Sequence, residues 1–239
     1  MIVYGRNPVR EALRGRRRVQ RVFATEKAAQ EVWLGGVETV LAEAWELEER
    51  CGSPDHQGIC AEVGPYPYAD ADSLLEPEDA LVLALDEVQD PHNLGAVIRV
   101  AEAAGCSGVV LPERRSAEVT AAVCRASAGA VEHLPVARVR NLADWLVSAK
   151  EHESTWVYGA AAEASVSYER PDYGGRVVLV LGSEGSGLRP RVAETCDELV
   201  RLPNRGKVGS LNVSTAAAAL VYGILHFRKK GLTGIHNQA

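Results

Sequence analysis

From residue 80 onward the chain repeats one pattern, a short and nearly continuous apolar run followed by a stretch with helical spacing. The apolar runs are ALVLAL (80–85), GVVLP (108–112), EHLPVA (132–137), TWVYGA (155–160), RVVLVLG (176–182) and ELVRLP (198–203). Helical spacing covers LGAVIRVAEAAG (94–105), AEVTAAVCRASAG (117–129), NLADWLVSAK (141–150), a short piece from Arg189 to Thr195, and a final helix with Ser210, Asn212 and Ser214 around its start. Strands that are apolar on both sides must be covered on both faces, and strands that alternate with helices are joined by crossovers. The pattern predicts an α/β fold, a parallel sheet flanked by helices. Ligands on such sheets gather outside the carboxyl ends of the strands, which points to the loops after Leu85, Leu181 and Leu202.

The first third reads differently. A helix over Pro8–Leu13, a strand over Val19–Ala24, a helix over Val37–Arg50 and a strand over Gly58–Val63 make a small α/β module. PYPYADADSLLEPED (65–79) combines prolines, small polar residues and like charges, and reads as a linker. The expected division is therefore 1–66, an acidic, Pro-containing connection at 67–79, and 80–239.

A net charge of −6 over 239 residues looks unsuited to nucleic acid, but the charge is uneven. Residues 67–79 hold five acids and no base, while residues 80–239 balance seventeen against seventeen. Seven arginines (Arg6, Arg10, Arg14, Arg16, Arg17, Arg18, Arg21) crowd the start with only Glu11 opposing them. Such a patch would meet phosphates, or it is a solvated helix face. Five cysteines lie scattered without a C-x-x-C pair and the histidines share no ligand spacing with them, so reduced thiols and no metal are expected. No run reaches the length of a membrane span, and arginines stand where a signal peptide would be apolar. The expected location is cytoplasmic.

Three loops carry the polar residues. In DEVQDPHNLGAVIRVAEAAG (86–105), Asn93 sits near a helix start and Arg99 lies six residues on, along a different face. An arginine among Ala, Val and Ile needs an anion or a carboxylate. In VLVLGSEGSGLRP (178–190), a buried strand ends at Gly182 and Glu184 stands beside Gly185 and Gly187. This G-x-x-G-x-G order is not the dinucleotide fingerprint, which argues against a nicotinamide-dependent dehydrogenase. In PNRGKVGSLNVSTAAAALVYGILHF (203–227), Lys207 is followed by Val208 rather than Ser or Thr, which excludes a P-loop. The helix start here offers orphan N–H donors, and Ser210, Asn212 and Ser214 would cap it or orient a substrate hydroxyl.

Taken in order, Asn93 with Arg99, then GSEGSGLR, then LPNRGKVGSLNVSTAA, after a module beginning YGRNPVREAL, the chain resembles the SpoU/TrmH (SPOUT) family of RNA ribose 2′-O-methyltransferases. HQGICAEVGPYPY (56–68) and SAGAVEHLPVARVRNL (127–142) are similar to the branch that methylates a guanosine in 23S ribosomal RNA. The resemblance implies a C-terminal trefoil knot, S-adenosylmethionine as cofactor, a homodimer, and a ribosomal-protein-like RNA-binding domain at the N-terminus. It implies cofactor loops at Leu181, Gly182 and Gly187, at Leu202, Pro203 and Gly206, and at Ser210 and Leu211. It implies catalytic roles for Asn93, Arg99, Glu184, Ser210 and Asn212. Asn204-Arg205 departs from the family, where Met followed by a small residue is common. A transfer RNA methyltransferase and a non-catalytic RNA-binding protein that keeps the fold are the alternatives.

Overall fold

The computed structural model describes residues 1–207 and 209–234. Val208, in the third loop, and the last five residues lie outside the described part. The elements run β1 (Ile2–Tyr4), α1 (Arg6–Arg14), β2 (Val19–Ala24), α2 (Glu26–Ala29), β3 (Thr39–Leu41), α3 (Ala44–Cys51) and β4 (Ile59–Val63). They continue through β5 (Leu81–Asp86), α4 (Pro91–Ala103), β6 (Gly108–Pro112), α5 (Ala121–Ala126), β7 (Val136–Val139), α6 (Leu142–Ala149) and β8 (Thr155–Ala160). The chain ends with β9 (Val166–Ser167), β10 (Arg176–Gly182), α7 (Pro190–Thr195), β11 (Glu198–Arg201) and α8 (Val213–Gly234).

The larger sheet has the order β7-β6-β5-β10-β8-β11-β9, and every pairing in it is parallel. Alternation along its strands sends Leu83, Leu85, Val109, Leu179 and Leu181 into one buried cluster with α4, α5 and α8. The intervening Val82, Ala84, Val110, Val178 and Val180 enter a second, with α6 and Val192 of α7. Two-sided burial explains why these strands read as unbroken apolar runs. In register, Leu181 lies opposite Leu85 and Gly182 opposite Asp86, so the loops after β10 and β5 start side by side.

The smaller sheet, order β1-β4-β2-β3, is mixed: β4 is antiparallel to β1 and β2, while β3 is parallel to β2. The helix expected over 37–50 is in fact a strand and a helix. Thr39, Val40 and Leu41 pair with Val22, Phe23 and Ala24, and α3 starts only after Glu43, in a capping box with Glu46. Strand β1 and the two-residue β9 are too short for periodicity to reveal. The strand expected over 132–137 starts at Val136, because Ala130–Glu132 forms a 3₁₀ turn.

The two sheets share a continuous core, with Val3 and Val9 in the same cluster as Val123, Cys124 and Ala130. The segment that reads as a linker joins them but is pinned along its length. The Tyr66 hydroxyl donates to the carbonyls of Val131 and Leu134, and the Ala69 N–H to that of Val136. Leu74 and Leu75 are buried, and Trp145 donates to Asp72 Oδ1 at 3.1 Å. Arg17 corrects the reading of the arginine cluster as one surface patch. Its side chain is buried, its Nε donates to Glu132 Oε2 at 2.8 Å, and its Nη2 contacts Glu132 Oε1. Arg6, Arg14, Arg16, Arg18 and Arg21 stay exposed.

Candidate active site

Asp86, the last residue of β5, is fully buried, and its carboxylate holds the neighbouring loop. Oδ2 accepts from the Arg189 backbone N–H at 2.8 Å, and Oδ1 accepts from Arg189 Nε at 2.7 Å. Arg189 also reaches Glu87, whose backbone takes a positive φ of 60°, at 3.6 Å. Buried charges persist when paired and hydrogen-bonded. This pair ties the chain after Leu188 to the strand end, which fixes the base of the glycine loop. Sequence reading passed over Asp86 and Arg189; an acid ending an otherwise apolar strand was the available signal.

Above that base, Ser183 and Gly187 exchange backbone hydrogen bonds of 3.2 and 3.0 Å, closing a hairpin whose tip carries Glu184. Gly185 and Gly187 adopt φ of 86° and 66°, which explains both glycines by backbone conformation. Gly182 is required by space. A Cβ there would stand 2.2 Å from the Gly187 carbonyl carbon and 2.5 Å from the Leu188 nitrogen, so the close neighbour is the loop's own backbone.

Of the five residues expected to be catalytic, three form one hydrogen-bonded cluster. Asn93 Nδ2 donates to Glu184 Oε1 at 2.9 Å. Asn212 Nδ2 donates to Asn93 Oδ1 at 2.8 Å and also contacts Glu184 Oε1. The other end of Asn212 caps α8: Oδ1 accepts from the Ser214 N–H at 2.9 Å, the Ser214 hydroxyl at 2.6 Å and the Thr215 N–H at 3.4 Å. Two of the helix's orphan donors are therefore met by the chain itself. Asn93 lies in the first turn of α4, where Asp90 accepts from the His92 N–H at 3.1 Å as N-cap. Three segments that are far apart in sequence thus meet at the carboxyl edge of the sheet.

Arg99 and Ser210 stand outside this cluster. Arg99 is exposed, in line with His92 two turns earlier, and has no ion pair among the described residues. An internal carboxylate partner, the structural alternative for Arg99, is absent there. Ser210 is exposed. Of the positions expected to hold a cofactor, Leu181 is buried, Gly182 and Leu202 are half-buried, and Gly187, Pro203, Gly206, Ser210 and Leu211 are exposed. Gly206 donates to Asn204 Oδ1 at 3.0 Å, so one of the two unusual residues shapes its own loop. Leu211, next to Asn212, leaves 53 % of its surface uncovered.

These loops fit a sulfonium nucleoside. Exposed backbone with apolar Leu211 and Pro203 suits an adenosine held by main-chain contacts, and the Glu184 carboxylate is the right sign for a cationic centre. Among the described residues no cluster of His, Cys, Asp and Glu would hold a metal ion, and no helix is long and apolar enough to cross a membrane.

Comparison with known proteins places the chain in a family. The family model of RNA 2′-O ribose methyltransferase substrate-binding domains matches residues 2–69, and that of the SpoU rRNA methylase family matches residues 80–222. The chain is 39 % identical over 245 residues to YacO of Bacillus subtilis strain 168, named for the TrmH family of tRNA/rRNA methyltransferases, covering 97 % of each chain. Among solved structures, the SpoU methyltransferase AviRb from Streptomyces viridochromogenes in complex with AdoMet superposes with a TM-score of 0.80. Its identity is 26 %, over 96 % of this chain and 90 % of that one. The AdoMet-bound rRNA methyltransferase from Sinorhizobium meliloti gives a TM-score of 0.80 at 25 % identity, over 94 % and 86 %. By both family models and a near full-length relative, the chain belongs to the SpoU methylase family.

Proposed function

We propose that this protein transfers a methyl group from S-adenosylmethionine to a ribose 2′-hydroxyl of RNA, a guanosine of 23S ribosomal RNA being the first candidate. The observation that carries the reading is the Asn93–Glu184–Asn212 cluster, assembled from three loops at the edge where parallel sheets bind ligands. Family membership and the AdoMet complexes of two related structures support the choice of cofactor.

Bound S-adenosylmethionine supplies an electrophilic methyl on a sulfonium. The protein's task is then to place a weak nucleophile in line with that methyl and to take up its proton. In this reading Leu181, Gly182, Gly187, Leu202, Pro203, Gly206, Ser210 and Leu211 frame the cofactor, in loops threaded as the trefoil knot of the family. Glu184 orders the cluster, and Asn212 and Ser210 orient the ribose. Arg99, a charge without an ion pair among the described residues, binds the phosphate beside that ribose and assists loss of the proton. Residues 1–66 serve as the RNA-binding domain, 67–79 as the connection, and 80–239 as the catalytic domain of a cytoplasmic homodimer.

The test incubates the protein with methyl-labelled S-adenosylmethionine and with deproteinised ribosomal RNA or bulk transfer RNA, followed by nucleoside analysis. Label in 2′-O-methylguanosine from ribosomal RNA is the expected result. Label from transfer RNA alone would move the substrate to that class, and label on a base rather than a ribose would overturn the reaction.

A further inference from the structure

At the same edge of the large sheet, β6 and β7 end beside a cavity of about 560 Å³. Glu113 and Arg114 of the loop after β6 line it, with Arg140 and Asn141 after β7 and Trp145 and Ser148 of α6. The order β10-β5-β6-β7 places these loops next in line to those that carry Glu184 and Asn93. Strands are about 4.8 Å apart, so the end of β7 lies roughly 10 Å beyond that of β5. That is within reach of the nucleotide next to the one being modified.

Charge and donor geometry favour such an occupant. Arg114 and Arg140 are exposed and have no ion pair among the described residues. The acids in the wall are Glu113 and Asp144, and Asp144 is already engaged by Arg191, so the wall keeps a positive balance. Asn141 Oδ1 accepts from the Ala143 N–H at 3.0 Å, and its amide NH₂ has no acceptor among the described residues. Two guanidiniums and an amide donor around a cavity of ligand size match a phosphodiester with its sugar or base.

We infer that the cavity between the β6 and β7 loops is a nucleotide subsite, in which Arg114 and Arg140 hold backbone phosphate flanking the target ribose. The inference rests on the proposed RNA substrate and adds the path of the strand, along the carboxyl edge from β10 toward β7.

The experiment compares the parent with the Arg114→Gln/Arg140→Gln double variant, by fluorescence anisotropy of a labelled single-stranded RNA of mixed sequence over a series of salt concentrations. Phosphate contacts are independent of sequence, so this probe reads them directly. Each lost contact should lower the slope of log affinity against log salt by about 0.7, about 1.4 for the pair. At low salt the affinity should fall tenfold or more, with S-adenosylmethionine binding by calorimetry unchanged. The Arg114→Lys/Arg140→Lys variant, which keeps the charge, should retain most of the slope. An unchanged slope in the Gln variant, with a parent that binds and methylates RNA, overturns the subsite and leaves the proposed reaction standing. A parent that neither binds nor methylates RNA overturns both.

Discussion

A single buried arginine shows how far residue type alone misleads. Arg17 belongs by sequence to a run of cations, yet its guanidinium meets Glu132, lies 3.3 Å from Cys124 Sγ and sits 5.6 Å from the centre of the Tyr66 ring. Removing one partner of such a pair leaves an uncompensated buried charge. Arg17→Met should therefore cost about 3–5 kcal/mol in urea unfolding, and adding Glu132→Leu should recover most of it. A double variant as unstable as the single one would contradict this account. Arg99 is the opposite case, exposed and without an ion pair among the described residues. Arg99→Ala should change stability by less than about 0.5 kcal/mol while slowing methyl transfer by about 100-fold or more. Thermal melting and single-turnover assays on one preparation separate the two effects, and full activity in a stable variant would remove Arg99 from the mechanism.

At the level of elements, α8 and the hairpin after β10 depend on each other through Asn212. Its Oδ1 caps the helix and its Nδ2 reaches Asn93 and Glu184, so one side chain fixes both the helix start and the site. Asn212→Ala should lose about 1 kcal/mol of stability through the cap and also lose methyl transfer, whereas Asn212→Asp should keep the cap and still lose transfer. At Gly182 the space a Cβ would need is taken by the hairpin's own backbone. Gly182→Ala would drive a Cβ into the Gly187 carbonyl, and should cost about 1–3 kcal/mol together with cofactor affinity. Normal stability with weak cofactor binding would instead mean that the Cβ meets the ligand.

Over the whole molecule, two sheets share one core and the acidic segment is laid against the larger of them. That packing buries thiols that the sequence shows only as scattered. Burial pushes Cys106 up to about 12, Cys124 to about 11 and Cys196 to about 12, from an ordinary value of 9.0. The unfolded chain releases these protons above pH 9 while the folded chain holds them. Stability from this source is thus complete below pH 9 and declines through pH 11–12. Urea titrations at pH 8 and pH 10.5 should show the loss, and Cys124→Ala should lessen it. A midpoint that rises with pH over this range would contradict the burial argument.

Two kinds of information shaped this protein, and they divide by distance along the chain. Strand and helix alternation after residue 80 is local, because an apolar run and a 3.6-residue period each declare themselves within a dozen residues. The sequence by itself therefore determined the parallel α/β sheet, and its ordered motifs marked Asn93, Glu184 and Asn212. Short pieces escaped it: three residues at Thr39–Leu41 become a strand only because β2 offers an open edge. Pairings between distant positions belonged to the tertiary structure. Arg17 and Glu132 are 115 residues apart, Asp86 and Arg189 103, and Asn93 and Asn212 119. No local rule couples such positions. What brings them together is the register of β10 against β5 and the common core under both sheets, which only the folded chain possesses.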